Sequence, residues 1–353
     1  MAAEEDFAPA LVVALPVGFV GAADAKAAAR ESALPTISNV GEKGGSAVTA
    51  AAVNAIVRLA QALPARVTDV GERQPALFLI GHGSRSAAGV DQYCQLAELV
   101  RRLRPDLTHG CGFIELARPD LDTALDDLVD SGVKSVVAVP LVLLGAGHLK
   151  TDGPAALARG RARHPEVDFT YARDLGIHPG VLAVAEDRIR ATHVAAGASN
   201  RAVLLVGRGS TDPDANADLY KVARLLEDAR GLGMVEPAFV SLARPSVTDG
   251  LDRCRRLGAT NVAVVPYFLF TGRLVDRLGQ QARAWAEVHP DTAVAVGSEL
   301  GPDHRVARLV IERYDEARTD GAFMNCDCCI YRTVLPGYEH RVGRPAAGAS
   351  HTH

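Results

Sequence analysis

The chain contains the stretch Leu77-Phe-Leu-Ile-Gly-His-Gly-Ser84 and, further on, the related stretch Val203-Leu-Leu-Val-Gly-Arg-Gly-Ser210. Each stretch is a continuous apolar run that ends at a glycine, as buried strands of parallel sheets do. Three further landmarks recur in nearly the same register: Phe-Ile-Glu-Leu-Ala-Arg-Pro at 113–119 with Phe-Val-Ser-Leu-Ala-Arg-Pro at 239–245, Val-Pro at 139–140 with 265–266, and His-Pro at 164–165 with 289–290. The chain is therefore an internal duplication.

Strand and helix patterns alternate within the first repeat. The predicted elements are a strand over 76–81, a helix over 93–103, a short strand at 113–114, a helix over 120–129 and a strand within 133–144. This alternation predicts an α/β fold of two tandem parallel-sheet lobes with helices on both faces. We expect lobes at 76–194 and 195–318, a linker at 63–75, an N-terminal segment at 1–62 with a helix over 46–63, and a tail at 319–353.

The composition excludes several classes of protein. The 353 residues are 48% hydrophobic and 23% charged, which is ordinary globular usage, and the net charge is −4. That charge gives no basic footprint for nucleic acid. The apolar run over 10–20 is too short to span a bilayer, and the acidic start lacks the basic region of a signal peptide. We expect a cytoplasmic protein without membrane or nucleic-acid partners.

Three side chains that could bind metal or move protons follow predicted strands of the first repeat. His82 follows the strand over 76–81, Glu115 follows Phe113-Ile114, and His148 lies in a predicted Gly-rich loop after the third strand. Ligands of parallel sheets bind beyond the carboxyl ends of the strands, so these side chains should meet at one edge. Two imidazoles and a carboxylate suit a divalent first-row metal, and they equally suit proton removal near neutral pH.

The second repeat lacks all three groups. Arg208, Ser241 and Arg273 stand at the corresponding positions. Arginine neither binds a cation nor accepts a proton, but it pairs with carboxylates. The sequence thus predicts one chemical site in the first repeat, facing a second repeat that supplies positive charge to a carboxylate-rich substrate.

These motifs resemble those of sirohydrochlorin chelatases of the class II, metal-cofactor-free family, across about 76–318. The matching elements are Gly-His-Gly-Ser-Arg at 81–85, Phe-Ile-Glu-Leu-Ala-Arg-Pro at 113–119, and Val-Pro-Leu followed by Gly-Ala-Gly-His within 139–148. The two-repeat form resembles the long cobaltochelatases. The resemblance implies flavodoxin-like lobes, catalytic roles for His82, Glu115 and His148, and cobalt binding by the two histidines. We expect substrate contacts from Ser84, Arg85, Arg118, Arg208 and Arg273.

The tail holds a cysteine cluster. Met324-Asn-Cys-Asp-Cys-Cys329 resembles the Met-x-Cys-x-x-Cys element of long cobaltochelatases, where it is associated with an iron–sulfur cluster. Cys326 and Cys329 match that element, and Cys328 is additional. A [4Fe–4S] cluster commonly takes four thiolates, so a further ligand would be needed. A redox or metal-scavenging thiol cluster is the alternative.

The N-terminal segment resembles a second family of cobalamin biosynthesis, the pathway to which the long cobaltochelatases belong. The stretches over 16–26 and 39–48 resemble the C-terminal part of precorrin-8X methylmutase, without the rest of that domain. We interpret the segment as a fusion remnant that favours cobalt by pathway association. The resulting prediction is an enzyme that inserts Co²⁺ into sirohydrochlorin in cobalamin biosynthesis. The alternatives are a ferrochelatase for siroheme or a non-catalytic tetrapyrrole or cobalt carrier, and the oligomeric state stays open, with a homodimer among the options.

Overall fold

A computed structural model describes residues 12–14, 22–31, 36–38, 74–192, 200–319, 329, 334, 336, 337 and 339–342. The chain forms two compact units, residues 1–73 and residues 74–353. The first unit contains a strand β1 (Val12–Ala14), a helix α1 (Ala22–Glu31) and a strand β2 (Thr36–Ser38) that pairs with β1 in parallel. The predicted helix over 46–63 lies outside the described residues. No helix in the described ranges is both long and apolar enough to span a bilayer.

The first repeat forms a four-stranded parallel sheet of order β4-β3-β5-β6. Its elements are β3 (Ala76–Gly81), α2 (Ala87–Leu103), β4 (His109–Phe113), α3 (Leu121–Asp130), β5 (Ser135–Pro140), a π-helix (His148–Asp152), α4 (Gly153–Arg163), β6 (Asp168–Tyr171) and α5 (Pro179–Ala191).

The second repeat forms an equivalent parallel sheet of order β10-β9-β7-β8. Its elements are β7 (Arg201–Gly207), α6 (Pro213–Arg230), β8 (Met234–Phe239), α7 (Val247–Arg256), β9 (Asn261–Pro266), α8 (Arg273–Glu287), β10 (Ala293–Val296) and α9 (His304–Arg318). The prediction of a two-lobed α/β fold from a duplication is confirmed.

Alternation along the central strands divides the core into three clusters. Leu77 and Leu79 of β3 face a cluster that both repeats share, whereas Phe78 and Ile80 face an outer cluster with α3 and α4. The second sheet has its own outer cluster with α7 and α8. The shared cluster combines helices α2, α5, α6 and α9 between the two sheets. The repeats therefore share one core.

The last helix of each repeat packs against the sheet of the other repeat. Helix α9 contacts β5 and β6 of the first sheet and also α2, and helix α5 contacts β9 of the second sheet and also α6. Tyr314 of α9 also donates its hydroxyl to the carbonyl of Pro75, at 2.6 Å, just before β3. The predicted lobes of 76–194 and 195–318 follow the duplication, but the two repeats exchange their terminal helices.

Some predicted element boundaries differ from the structure. The second strand runs over His109–Phe113 and ends before Ile114, which the sequence pattern placed inside it. Helix α2 begins at Ala87, six residues before Tyr93, where the sequence pattern placed its start. His148 begins a π-helix, whereas the glycines around it indicated a loop. Glycines occur where two backbone segments approach closely as well as in loops, and a local sequence pattern does not distinguish these two cases.

Candidate metal centre

The loop after β3 places His82 directly against the segment that carries Glu115. The amide of Glu115 donates to the carbonyl of His82 at 3.0 Å. Gly83 has a φ of +94°, and a Cβ added there would lie 1.7 Å from the carbonyl oxygen of Glu115. Only glycine fits such a contact in a left-handed conformation. The Gly-His-Gly sequence therefore allows the two catalytic candidates to approach closely.

The three predicted groups converge on one point. His82 Nε2 lies 3.1 Å from His148 Nε2 and 3.4 Å from Glu115 Oε1. The ligand atoms of all three residues lie within 4.8 Å of one another, and in the described part of the chain no other group of three His, Cys, Asp or Glu residues does so. Imidazole nitrogens bind first-row divalent metals at about 2.0–2.1 Å, so both Nε2 atoms can reach one ion. The structure thus brings together the three side chains that follow the predicted strands of the first repeat.

Hydrogen bonds to the second nitrogen of each imidazole orient both rings. His82 Nδ1 lies 3.1 Å from the carbonyl oxygen of Gly83, and His148 Nδ1 lies 2.8 Å from Asp152 Oδ2. Carbonyl and carboxylate oxygens only accept hydrogen bonds, so each Nδ1 donates. In a neutral imidazole this leaves the lone pair on Nε2, and the two Nε2 atoms lie 3.1 Å apart with the ring planes nearly perpendicular. Two lone pairs 3.1 Å apart repel unless they share a cation or a proton, so the pair is preorganised for either.

The surroundings hold His82 in its neutral form. The pKa of His82 is lowered from 6.5 to about 4: burial is the largest cause, the nearby His148 and Arg208 act in the same direction, and the Gly83 carbonyl and Glu115 raise the pKa. A neutral imidazole binds a metal without first losing a proton. His82 is therefore suited to metal ligation throughout the neutral pH range.

Arg208 is a candidate substrate contact that acts electrostatically on two of the catalytic candidates. It follows β7 of the second repeat and is near enough to His82 and Glu115 to act on them electrostatically. Burial lowers the pKa of Arg208, and Glu115 partly offsets this effect. The second repeat thus contributes a cation to the centre of the first.

The other candidates lie around this centre. Ser84 accepts the amide of Ser86 at 3.0 Å, and its hydroxyl is also near Gly272 of the second repeat. Arg273 is exposed at the start of α8, and Arg85 is exposed beside Ser84. The side chain of Arg118 is 84% exposed and pairs with Asp120. An open cavity of about 520 Å³ is lined by Glu115, Leu116, Ala117, Arg118 and Asp120.

Polar contacts between the repeats fasten the loops that surround the site. Lys150, two residues after His148, contacts Asp212 at 2.8 Å and Asp214 at 3.0 Å in the second repeat. In the opposite direction, Gln92 of the first repeat accepts the amide of Thr271 at 2.7 Å and donates to Glu299 at 2.7 Å. Neither set is predicted by the sequence. Their residues have no shared motif, and each pair joins positions far apart in the chain.

Two parallel sheets with two imidazoles and a carboxylate beyond their strand ends define a chelatase-type α/β protein. A profile of the CbiX family matches residues 76–192 and 202–317, and the chain belongs to this family. A profile of precorrin-8X methylmutase matches residues 1–59.

Individual relatives agree with this assignment. The chain is 34% identical over 269 residues to a sirohydrochlorin cobaltochelatase of Priestia megaterium, covering 74% of this chain and 86% of that protein. A sirohydrochlorin ferrochelatase of the same organism is 31% identical over 217 residues, covering 61% of this chain and 81% of that protein. The sirohydrochlorin chelatase SirB from Bacillus subtilis subspecies spizizenii, solved in complex with cobalt, superposes with a TM-score of 0.59 at 26% identity, covering 70% of this chain and 96% of that chain.

Proposed function

We propose that the protein inserts Co²⁺ into sirohydrochlorin. The observation that carries this proposal is the convergence of His82 Nε2, His148 Nε2 and Glu115 Oε1 on one point. Insertion requires a metal that sheds water while the macrocycle loses two N–H protons. Ligands and bases held together at one point serve both needs. Cobalt is favoured over iron by the cobaltochelatase relative and by the N-terminal match to a methylmutase family.

The residues of the site have different roles, in metal binding, proton transfer and binding of the ring. His82 stays neutral and holds the incoming ion together with His148. Glu115, beside His82, accepts one of the two pyrrole protons, and His148 accepts the other as the ion passes from its Nε2 to the ring. Arg208 adds positive charge on the side of the second repeat and, together with Ser84, Arg85, Arg118 and Arg273, is proposed to bind the carboxylates of the ring. Guanidinium groups pair with carboxylates in a bidentate manner, and several of them would hold a ring that carries many such groups.

Anaerobic mixing of the protein with sirohydrochlorin and Co²⁺ tests the proposal. Formation of the cobalt complex at many rings per protein supports an enzyme, whereas one ring bound per protein without insertion would indicate a carrier. The same assay with Fe²⁺ and Ni²⁺ tests the metal, since nitrogen and carboxylate ligands accept all three ions. Faster insertion of Fe²⁺ than of Co²⁺ would favour the ferrochelatase alternative.

The cysteines of the tail form a separate proposal. Cys329 is buried, whereas Cys326 and Cys328 lie outside the described residues. We propose that Cys326 and Cys329 hold an iron–sulfur cluster or another metal, with Cys328 as an additional thiolate. Three thiolates within four positions can share one metal centre.

A further inference from the structure

The π-helix that begins at His148 ends at a carboxylate that contacts the same imidazole. Asp152 Oδ2 lies 2.8 Å from His148 Nδ1, and the two side chains are only 22% and 16% exposed. The contact is therefore shielded from water on most sides and is worth more than a surface pair. π-helical turns are rare and occur often at functional sites.

The second repeat provides an internal comparison. Gly147-His148 corresponds to Gly272-Arg273, and His164 corresponds to His289, so Asp152 corresponds to Arg277. There the segment forms an α-helix from its first residue, Arg273, without a π-helical turn. The second repeat, which lacks the proposed metal-binding residues, thus also lacks the carboxylate partner and the π-helical turn. The comparison links Asp152 to the metal centre and not to the fold that both repeats share.

The turn is also held in place from outside. Lys150, between His148 and Asp152, is 10% exposed and contacts Asp212, which is 3% exposed, and Asp214, which is 11% exposed. These contacts fix the backbone that carries both the imidazole and its carboxylate. The Nδ1 contact therefore orients the ring on a turn that these ion pairs tie to the second repeat.

We propose that Asp152 is a positioning residue for metal binding: it holds His148 with the proton on Nδ1 and the lone pair on Nε2, the atom that lies 3.1 Å from His82 Nε2. This inference rests on the proposed function, because it assigns the Nε2 atoms to the metal substrate. A carboxylate behind a ligating histidine fixes its tautomer and ring direction, and loss of such a partner lowers metal affinity by about 10–100-fold. Asp152 is outside the group of three ligand atoms and acts through its contact with His148.

Titration with Co²⁺ alone, followed by its visible absorption, tests the role of Asp152. The variant Asp152→Asn keeps the shape of the side chain, but its amide can also donate to Nδ1 and select the wrong tautomer. We expect a 10–100-fold weaker Co²⁺ affinity. The matched control is Asp126→Asn, because Asp126 contacts His164 Nε2 at 2.7 Å outside the metal centre. That variant should bind Co²⁺ as the wild type does.

Nitrogen-15 NMR of the imidazoles adds a readout that a merely structural role would not move. The wild type should show His148 protonated on Nδ1, and Asp152→Asn should show a population protonated on Nε2. Asp152→Ala, with no donor at this position, provides a second variant, which should also bind Co²⁺ more weakly. Affinity within twofold of the wild type in folded Asp152 variants, or an unchanged tautomer, would overturn the inference. Insertion by the wild type is measured separately, so a failure of the proposed function is recognised independently.

Discussion

Arg188 and Arg313 occupy equivalent positions in the two repeats, and each donates hydrogen bonds to backbone carbonyl groups of the other repeat. Arg188 contacts the carbonyl oxygens of Glu299 at 3.0 Å and Leu300 at 2.7 Å. Arg313 contacts those of Asp174 at 2.8 Å and Leu175 at 2.9 Å. The exchange of terminal helices thus ends in a reciprocal pair of guanidinium–carbonyl contacts, which satisfy loop carbonyls beyond the last strand of each sheet.

The exchanged helices predict that both repeats unfold together. Arg313 is 2% exposed, so Arg313→Met leaves two carbonyl groups without their charged donor. We expect a loss of about 1.5–3 kcal/mol in the free energy of unfolding for each strong contact removed. Trp285, the one tryptophan of the chain, lies in the second repeat, and its fluorescence should follow the same denaturation curve as far-UV circular dichroism.

A surface arginine provides the control for this experiment. Arg224 is 68% exposed and contacts Asp228 at 2.6 Å. Arg224→Met should change the free energy of unfolding by less than about 1 kcal/mol. Separate fluorescence and dichroism transitions in Arg313→Met would contradict a shared core.

Two variants test the assignment of chemistry to the first repeat. His148→Ala removes a metal ligand and a base, and turnover should fall by roughly 10²–10⁴-fold while ring binding persists. Arg273→Ala should mainly weaken ring binding, by roughly tenfold to a hundredfold, since a charged hydrogen bond contributes about 1.5–3 kcal/mol. Both are measured as turnover and ring affinity side by side. If His148→Ala kept normal turnover, and Arg273→Ala lost turnover while its affinity for the ring was unchanged, the roles assigned to the two repeats would be the wrong way round.

The low basicity of His82 predicts a specific pH dependence of stability. Its pKa is about 4 in the folded protein and ordinarily 6.5. Between these values the unfolded chain binds a proton that the folded chain does not, so stability falls as pH decreases from about 6.5 to 4 and levels off below. Relative to His82→Asn, the free energy of unfolding of the wild type should therefore decline over this window. A difference that stays constant from pH 7 to pH 4 would show that His82 has an ordinary pKa.

Removal of residues 1–70 should leave metal insertion intact. The proposed catalytic and substrate-binding residues all lie at 82–273, and residues 1–73 form a separate compact unit. The truncated protein keeps Pro75, whose carbonyl accepts the hydroxyl of Tyr314. Insertion rates of truncated and full-length protein are compared at equal concentration. A folded truncation with most of its activity lost would assign a catalytic role to the N-terminal unit.

The cysteine cluster predicts a coloured protein. Anaerobically purified wild type should be brown, with the absorption of an iron–sulfur centre, and the double variant Cys326→Ser, Cys329→Ser should be colourless. The variant should still insert metal, because the two replaced cysteines are far in sequence from His82 and His148. A wild type that stays colourless after iron–sulfur reconstitution would favour a plain thiol cluster.

The sequence predicted those parts of the structure that local pattern encodes. The run before His82 and its copy before Arg208 identify the central strands, and strand ends bring His82, Glu115 and His148 to one edge. The exchange of α5 and α9 has no local signal, because an amphipathic helix fits either of two similar sheets equally well. Asp152 could have been found, because a carboxylate four residues after a histidine suits a contact within one helix. The glycines before His148 instead indicate a loop.

The reciprocal helices also bear on how such a molecule can have originated. A single repeat on its own would lack the terminal helix that the other repeat packs on its sheet, and we expect it to fold only by pairing with an identical copy. Identical copies would inherit every substitution twice, so a change from histidine to arginine would remove both centres at once. Joining the copies in one polypeptide lifts this constraint. One half could then keep His82 and His148 while the other acquired Arg208 and Arg273. Two identical subunits of a symmetric dimer cannot specialise in this way, because every substitution occurs in both.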